Sequence, residues 1–184
     1  MSMVPFHEYR RFVHAKKLRL RCSVVRDILM SIVDLKQVEH LFILTLDDLS
    51  LFMSLKYTMP CLSEVAIVND VTHDMIERFK GHRFEQIRKL KMRVTQHYNH
   101  YITENIFYLF PYVKCLSCTN PFGNINNMVR FIDGFKYLQN AFFFVNSEFH
   151  GKTPNTDHGL SSIHRISWRL TKDNFTYRVS YPSK

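Results

Sequence analysis

Two residue pairs in this chain have the spacing of metal ligands, Cys115-x-x-Cys118 and His97-x-x-His100. Zinc is held by thiolates and imidazoles that converge on one point. No triad of Cys, Asp or Glu sits beside the histidines at ligand spacing, and the run Gln96–Tyr101 reads as a turn. The two cysteines fall in a segment that reads as a β-strand, where residues three apart face opposite sides. Cys118 is therefore expected in a core and Cys115 outside it. A nucleophilic Cys115 would need a base or an activating charge to form its thiolate. Its neighbour Lys114 is expected on the other strand face. The sequence contains no P-loop, dinucleotide fingerprint or HExxH motif. No catalytic residue, metal ligand or cofactor is expected, and the chain does not read as an enzyme.

The charge points to binding. Of 184 residues, 25 are Lys or Arg and 16 are Asp or Glu, a formal net charge of +9 before the ten His are counted. Such a balance suits an anionic partner and informs association more than fold. Arg78, Lys80, His82, Arg83, Arg88, Lys89, Lys91 and Arg93 concentrate much of it mid-chain, spread over a helix end, a loop and a strand. Nucleic-acid binding needs clustering and a recognition element, so RNA or DNA stands as the alternative partner. No apolar run approaches the roughly 20 residues of a membrane span, and the N-terminus has no secretory pattern. Four scattered cysteines make no disulfide framework. These features suit a cytoplasmic or nuclear protein with no membrane partner.

The elements that position these residues follow from a recurring six-residue pattern. Ala15-x-x-Leu18-x-Leu20 is followed by Val38-x-x-Leu41-x-Ile43, Leu62-x-x-Val65-x-Ile67 and Ile87-x-x-Leu90-x-Met92. Val113-x-x-Leu116-x-Cys118, Leu138-x-x-Ala141-x-Phe143 and Ile163-x-x-Ile166-x-Trp168 complete the series. Successive starts are 23 to 26 residues apart, within the range of leucine-rich repeats. One such hexapeptide means little; seven in near-register predict a repeat architecture.

Helical apolar stripes follow most hexapeptides. Ser23 is positioned to cap a helix carrying Val25, Ile28, Leu29 and Ile32, and Asp47 or Asp48 one carrying Leu49, Phe52 and Met53. Thr72 precedes Met75, Ile76 and Phe79. Ile102, Ile106, Leu109 and Phe110 form the fourth stripe, and Asn124 precedes Ile125, Met128, Val129 and Ile132. Pro60 and Pro111 each stand two residues before a hexapeptide, where proline stops an incoming helix. The expected fold class is α/β, a leucine-rich-repeat solenoid. Strands about 4.8 Å apart against helices about 8–10 Å apart would curve it, with the parallel sheet concave and the helices convex.

The boundaries follow from where the pattern weakens. Residues 1–14 read as an incomplete N-terminal segment and suggest a piece of something longer. Residues 15–145 form the repeat array and 146–162 a polar loop. Residues 163–184 are expected to hold the last strand and a capping hairpin, with Lys172-Asp173-Asn174 as its turn, covering the sheet end.

With its hexapeptides, its units of about 25 residues and its helix-ending Met59-Pro60-Cys61-Leu62 and Phe110-Pro111-Tyr112-Val113, the chain resembles the leucine-rich-repeat region of F-box-type proteins over residues 12–170. The resemblance implies substrate-holding repeats of a ubiquitin-ligase receptor, intracellular, whose separate F-box docks on an adaptor. This sequence shows no Leu-Pro-x-Glu-type F-box opening before the repeats, so adaptor binding is not carried over. Asp70 and Pro121 stand at two positions where other leucine-rich repeats carry an asparagine ladder.

Outward strand positions would line the concave face: Lys17, Arg19 and Arg21; His40, Phe42 and Leu44; Glu64, Ala66 and Val68; Lys89, Lys91 and Arg93. Cys115, Ser117 and Thr119 continue it, then Asn140, Phe142 and Phe144, and finally Arg165, Ser167 and Arg169. From these, Lys17, Arg19, Arg21, Phe42, Lys89, Lys91, Arg93, Phe142, Arg165 and Arg169 are the expected contacts to a protein ligand of acidic character. Arg and exposed aromatics are favoured at interaction hot spots. Lys91 is expected to face solvent and to tolerate reversal to Asp.

Overall fold

A computed structural model of the chain describes residues 12–21, 26–52, 55–93, 100–119, 131–146, 165–171 and 174–180. Strand β1 (Lys17–Arg19), β2 (His40–Ile43), β3 (Glu64–Asp70), β4 (Lys89–Arg93), β5 (Cys115–Thr119) and β6 (Asn140–Asn146) lie side by side in chain order. Each is parallel to the next. A parallel neighbour needs a crossover, and helical turns supply it. These are α1 (Arg26–Ile32), α2 (Leu55–Thr58), α3 (His73–Arg78), α4 (His100–Leu109) and the short 3₁₀ segments Leu35–Gln37 and Leu46–Phe52.

Equivalent hexapeptide positions pair directly. Leu18, Leu41, Val65, Leu90, Leu116 and Ala141 are successive partners across six strands. Alternation along each strand then sends the same positions to one face. Leu41, Ile43, Val65, Ile67, Leu90, Met92, Leu116 and Cys118 are all buried there, in one core with Leu49, Ile76, Ile106 and Leu109 from the crossovers. The expectation of adjacent parallel strands with these residues inward holds, and the fold is α/β.

A backbone device recurs at the entries of β2 to β6. The amides of Glu39 and His40 both donate to the Lys16 carbonyl, and those of Ser63 and Glu64 to Glu39. Arg88 and Lys89 donate to Ser63, Lys114 and Cys115 to Arg88, and Gln139 and Asn140 to Lys114. Each unit thus hangs on one carbonyl of the unit before it. A second regularity sits three residues ahead of the five hexapeptides from Val38 to Leu138, where Leu35, Met59, Phe84, Phe110 and Phe135 are buried, whereas Phe12 ahead of the first is exposed. Of these, only Phe110 stands out in the sequence, because single apolar residues in turns form no periodic stripe.

The helical expectations are met in part. Thr72 caps α3, its hydroxyl accepting from the Met75 amide, and Ile102, Ile106, Leu109 and Phe110 are buried along α4. The helices before Pro60 and Pro111 end at Thr58 and Leu109, as expected. Ile28 is 54% exposed, so α1 buries Leu29 and not the full stripe. Asp48 accepts from the Leu44 and Thr45 amides, and this tight closure opens a 3₁₀ segment where an α-helix is expected. His100 and Tyr101, expected in a turn, lie in α4, and the rest of that run lies outside the described residues. Ser23, Val25, Met53, Asn124, Ile125, Met128 and Val129 lie outside the described residues, as does the loop assigned to 146–162 except Asn146, which ends β6.

The last hexapeptide does not stack on β6. β7 (Arg165–Thr171) pairs antiparallel with β8 (Asn174–Ser180), and β8 inserts between β6 and β7. The hairpin expected at the sheet end is present, entered by its second strand. The segment between β6 and β7 is as long as the crossovers between the parallel strands, so chain length does not decide the order. The seven-residue antiparallel pairing of β8 with β6 takes the place instead.

Gly134 is fixed by crowding. A Cβ there would overlap the Phe107 ring, which is pinned against Phe131 and Phe135 at centroid separations of 5.6 and 4.7 Å. Gly134→Ala is expected to cost about 1–3 kcal/mol by overpacking, outweighing the roughly 0.4–1 kcal/mol gained from a stiffer unfolded chain. Urea unfolding measures it; an unchanged midpoint would show that Phe107 yields.

Candidate interaction surface

The face of the sheet opposite the core is built from two register rows. One runs Lys17, His40, Glu64, Lys89, Cys115, Asn140; the other Arg19, Phe42, Ala66, Lys91, Ser117, Phe142. Lys17, Arg19, Lys89, Lys91 and Arg93 are exposed, and Phe42 and Phe142 are partly covered. Arg21 is exposed just beyond β1. The expected contacts on β1 to β6 thus share a face. Arg165 and Arg169 do not adjoin it as expected. β8 separates their strand from β6 and brings Arg178 into the row of Phe142, at the backbone level.

At its centre stands a charged side chain that alternation alone treats as solvated. Glu64 is only 6% exposed. Lys91 Nζ donates to its Oε1 at 2.6 Å, and His40 Nδ1 lies 3.0 Å from its Oε2. His40 must carry the proton in that contact, because a carboxylate only accepts. Burial pushes the Glu64 carboxyl up, but the hydrogen bonds from Lys91 and His40 and their charge outweigh it and hold the group below its ordinary range. Lys91 is therefore not a free solvent-facing cation: its stem is half exposed and its head is committed to Glu64.

The same strand spacing organises Phe42. Arg19 Cζ lies 5.8 Å and Lys91 Nζ 6.0 Å from its ring centroid. β3 separates Phe42 from Lys91, and the two close over it because the residue between them is Ala66, itself buried. Cations over an exposed ring contribute about 0.5–1 kcal/mol each, so this aromatic is held in place.

Val68 does not oppose Arg93 as strict alternation requires. β3 slips against β4 between Ala66 and Asp70, and Asp70 becomes the partner of Arg93. Arg93 Nε stands 3.3 Å from Asp70 Oδ1, an ionic contact whose geometry makes no hydrogen bond to that oxygen. A bulge of this kind brings a carboxylate to a row that would hold an apolar residue.

The cysteines part as expected. Cys118 is fully buried, its thiol pushed far up by burial. Cys115 faces the other side, and burial pushes its thiol up too, against the pull of Lys89 and Lys91. Lys114 is exposed just before β5 and does not act on it. His97 lies outside the described residues and His100 opens α4. Among the described residues no three His, Cys, Asp or Glu side chains gather as metal ligands, and no helix is long and apolar enough to cross a membrane. The mid-chain basic residues divide by surface. Arg78 pairs with Asp47 at 2.7 Å and Lys80 with Glu77 at 3.8 Å, Lys89, Lys91 and Arg93 take the open face, and Arg83 and Arg88 turn to a third surface. Comparison with family models, with curated proteins and with solved structures finds no match to this chain.

Proposed function

We propose that the chain is a non-catalytic protein-interaction module of the leucine-rich-repeat solenoid class, gripping an acidic protein segment on the open face of its sheet. The observation that carries the reading is the pair of register rows, in which Arg19 and Lys91 close over Phe42 while Lys17 and Lys89 stand exposed in the row beside it. Cations there steer an acidic chain and an aromatic anchor sets its release. The parallel strands in chain order and the repeated strand-entry hydrogen bonds support the solenoid. On the resemblance of its hexapeptides, the module serves as the substrate-binding repeats of an F-box-type ubiquitin-ligase receptor in the cytoplasm or nucleus. Nucleic acid is less suited to this face, because Glu64 and Asp70 interrupt its cations.

Affinity purification with quantitative mass spectrometry tests the reading. Lys17→Glu with Lys89→Glu should deplete the captured protein set and weaken the salt dependence of what remains. Phe42→Ala should release the same proteins with little change in salt dependence. Both variants must keep the wild-type circular dichroism. Capture unchanged by both would leave the open face without a binding role.

A further inference from the structure

A line of cations backed by exposed tyrosines lies away from the open face, at the edge where helices return to strands. There Arg83 Cζ lies 5.0 Å from the Tyr108 ring centroid, Arg88 Cζ 5.3 Å from Tyr112, and Lys136 Nζ 5.5 Å from Tyr137. Tyr112 and Tyr137 adjoin, their centroids 5.2 Å apart. These tyrosines remain 45%, 36% and 42% exposed in chain order, although all three are large enough to bury.

Lack of an ion pair is shared with the open face, where none reaches Lys17, Arg19 or Lys89 among the described residues. On the edge, however, the cations are backed by exposed rings, and several cations elsewhere on the surface are paired. Lys16 has Glu39, Arg78 has Asp47, Lys91 has Glu64 and Arg93 has Asp70. Among the described residues no ion pair reaches Arg83, Arg88, Lys114 or Lys136. Arg88 uses one guanidinium nitrogen on the carbonyls of Glu85 and Ile87. Lys114 follows Arg88 in the strand-entry ladder and extends the basic edge. Two acids lie nearby in sequence: Glu85, exposed and in no ion pair with these cations among the described residues, and Asp133, whose carboxyl is pushed up by burial with no cation to offset it.

Arg83, Tyr112, Lys136 and Tyr137 wall a single hollow of about 270 Å³. That is below the roughly 300–1,000 Å³ of small-molecule sites and gives room for one flat group, not a whole cofactor. Flat groups beside a line of unpaired cations are what a phosphodiester single strand presents, and proteins meet it with aromatic platforms along a basic track.

We propose that this edge binds single-stranded nucleic acid, with one base in the hollow against Tyr112 and Tyr137 and flanking phosphates on Arg83, Arg88 and Lys136. A duplex stacks its bases internally and offers only its backbone, so the rings select the single strand. An acidic peptide would use the cations but supply no series of flat groups. The site is independent of the open-face reading, and each can fail alone.

Fluorescence anisotropy with labelled oligo(U) RNA, oligo(dT) DNA and a duplex of equal length tests it on the full chain. Wild type should bind either single strand more tightly than the duplex at low salt. Tyr112→Ala with Tyr137→Ala should weaken binding about tenfold to a hundredfold, the loss expected of one stacked base. Arg83→Gln with Lys136→Gln leaves the rings in place, guarding against a folding artefact, and should flatten the slope of log affinity against log salt by about 1.4. Equal affinity for duplex, tyrosine variants binding as wild type, or loss confined to Lys89→Glu on the open face would each overturn the proposal. So would absence of single-strand binding by the folded wild type.

Discussion

Leu90→Asp is expected to abolish the cooperative unfolding transition. Leu90 is fully buried in β4, paired with Val65 on one side and Leu116 on the other. Truncating a buried leucine costs about 2–5 kcal/mol, and an unpaired carboxylate in that position adds several more. Together these approach the roughly 5–15 kcal/mol that hold a typical domain. Because each unit hangs on the one before it, loss at β4 also unseats β3 and β5. Far-UV circular dichroism at 25 °C and a thermal melt measure the effect. A native-like melt would place Leu90 outside the core and shift the phase of every strand.

The second large effect falls on a surface residue. Lys91→Asp is expected to destabilise the fold by roughly 1–3 kcal/mol, although Lys91 is half exposed. The substitution removes the donor to Glu64 and sets a second carboxylate beside a nearly covered one, leaving His40 as the sole counterweight. Lys17→Asp, on the same face but two strands from Glu64 and with no ion pair among the described residues, is the control and should change stability by no more than about 0.5 kcal/mol. Equal effects of the two would mean that the Lys91–Glu64 contact contributes nothing beyond generic surface charge.

The pH dependence of this contact has a definite sign. The folded Glu64 carboxyl lies below its ordinary value of 4.5, so the native state binds its proton less readily than the unfolded chain. Its stabilisation is present in full well above pH 4.5 and fades as pH falls through that value toward the folded one. Glu64→Gln should therefore be less stable than wild type at neutral pH, with the gap closing below about pH 4.5. Urea midpoints of both proteins from pH 7 to pH 3 measure it. A constant gap would assign the loss to shape and not to charge.

What the sequence by itself determined is the unit and its phase. Leu41, Val65, Leu90 and Leu116 recur at a spacing that only a repeated strand explains, and alternation then assigns each neighbour to a face. Thr72, Pro60 and Pro111 announce helix boundaries through local chemistry, which needs no partner from afar. Cys115 and Cys118 are separated for the same reason. The tertiary structure alone decided what depends on residues that meet across units. Glu64 reads as a solvated strand residue until His40 and Lys91 arrive from the flanking strands. Asp70 reaches Arg93 only through a slip between two strands, which no single strand encodes. β8 takes the place beside β6 because edge pairing is settled by which strand fits, not by which comes first. The tyrosine and cation pairs of the strand-entry edge, Arg88 with Tyr112 and Arg83 with Tyr108, lie about 25 residues apart in the chain. Stacking of units is what makes them neighbours.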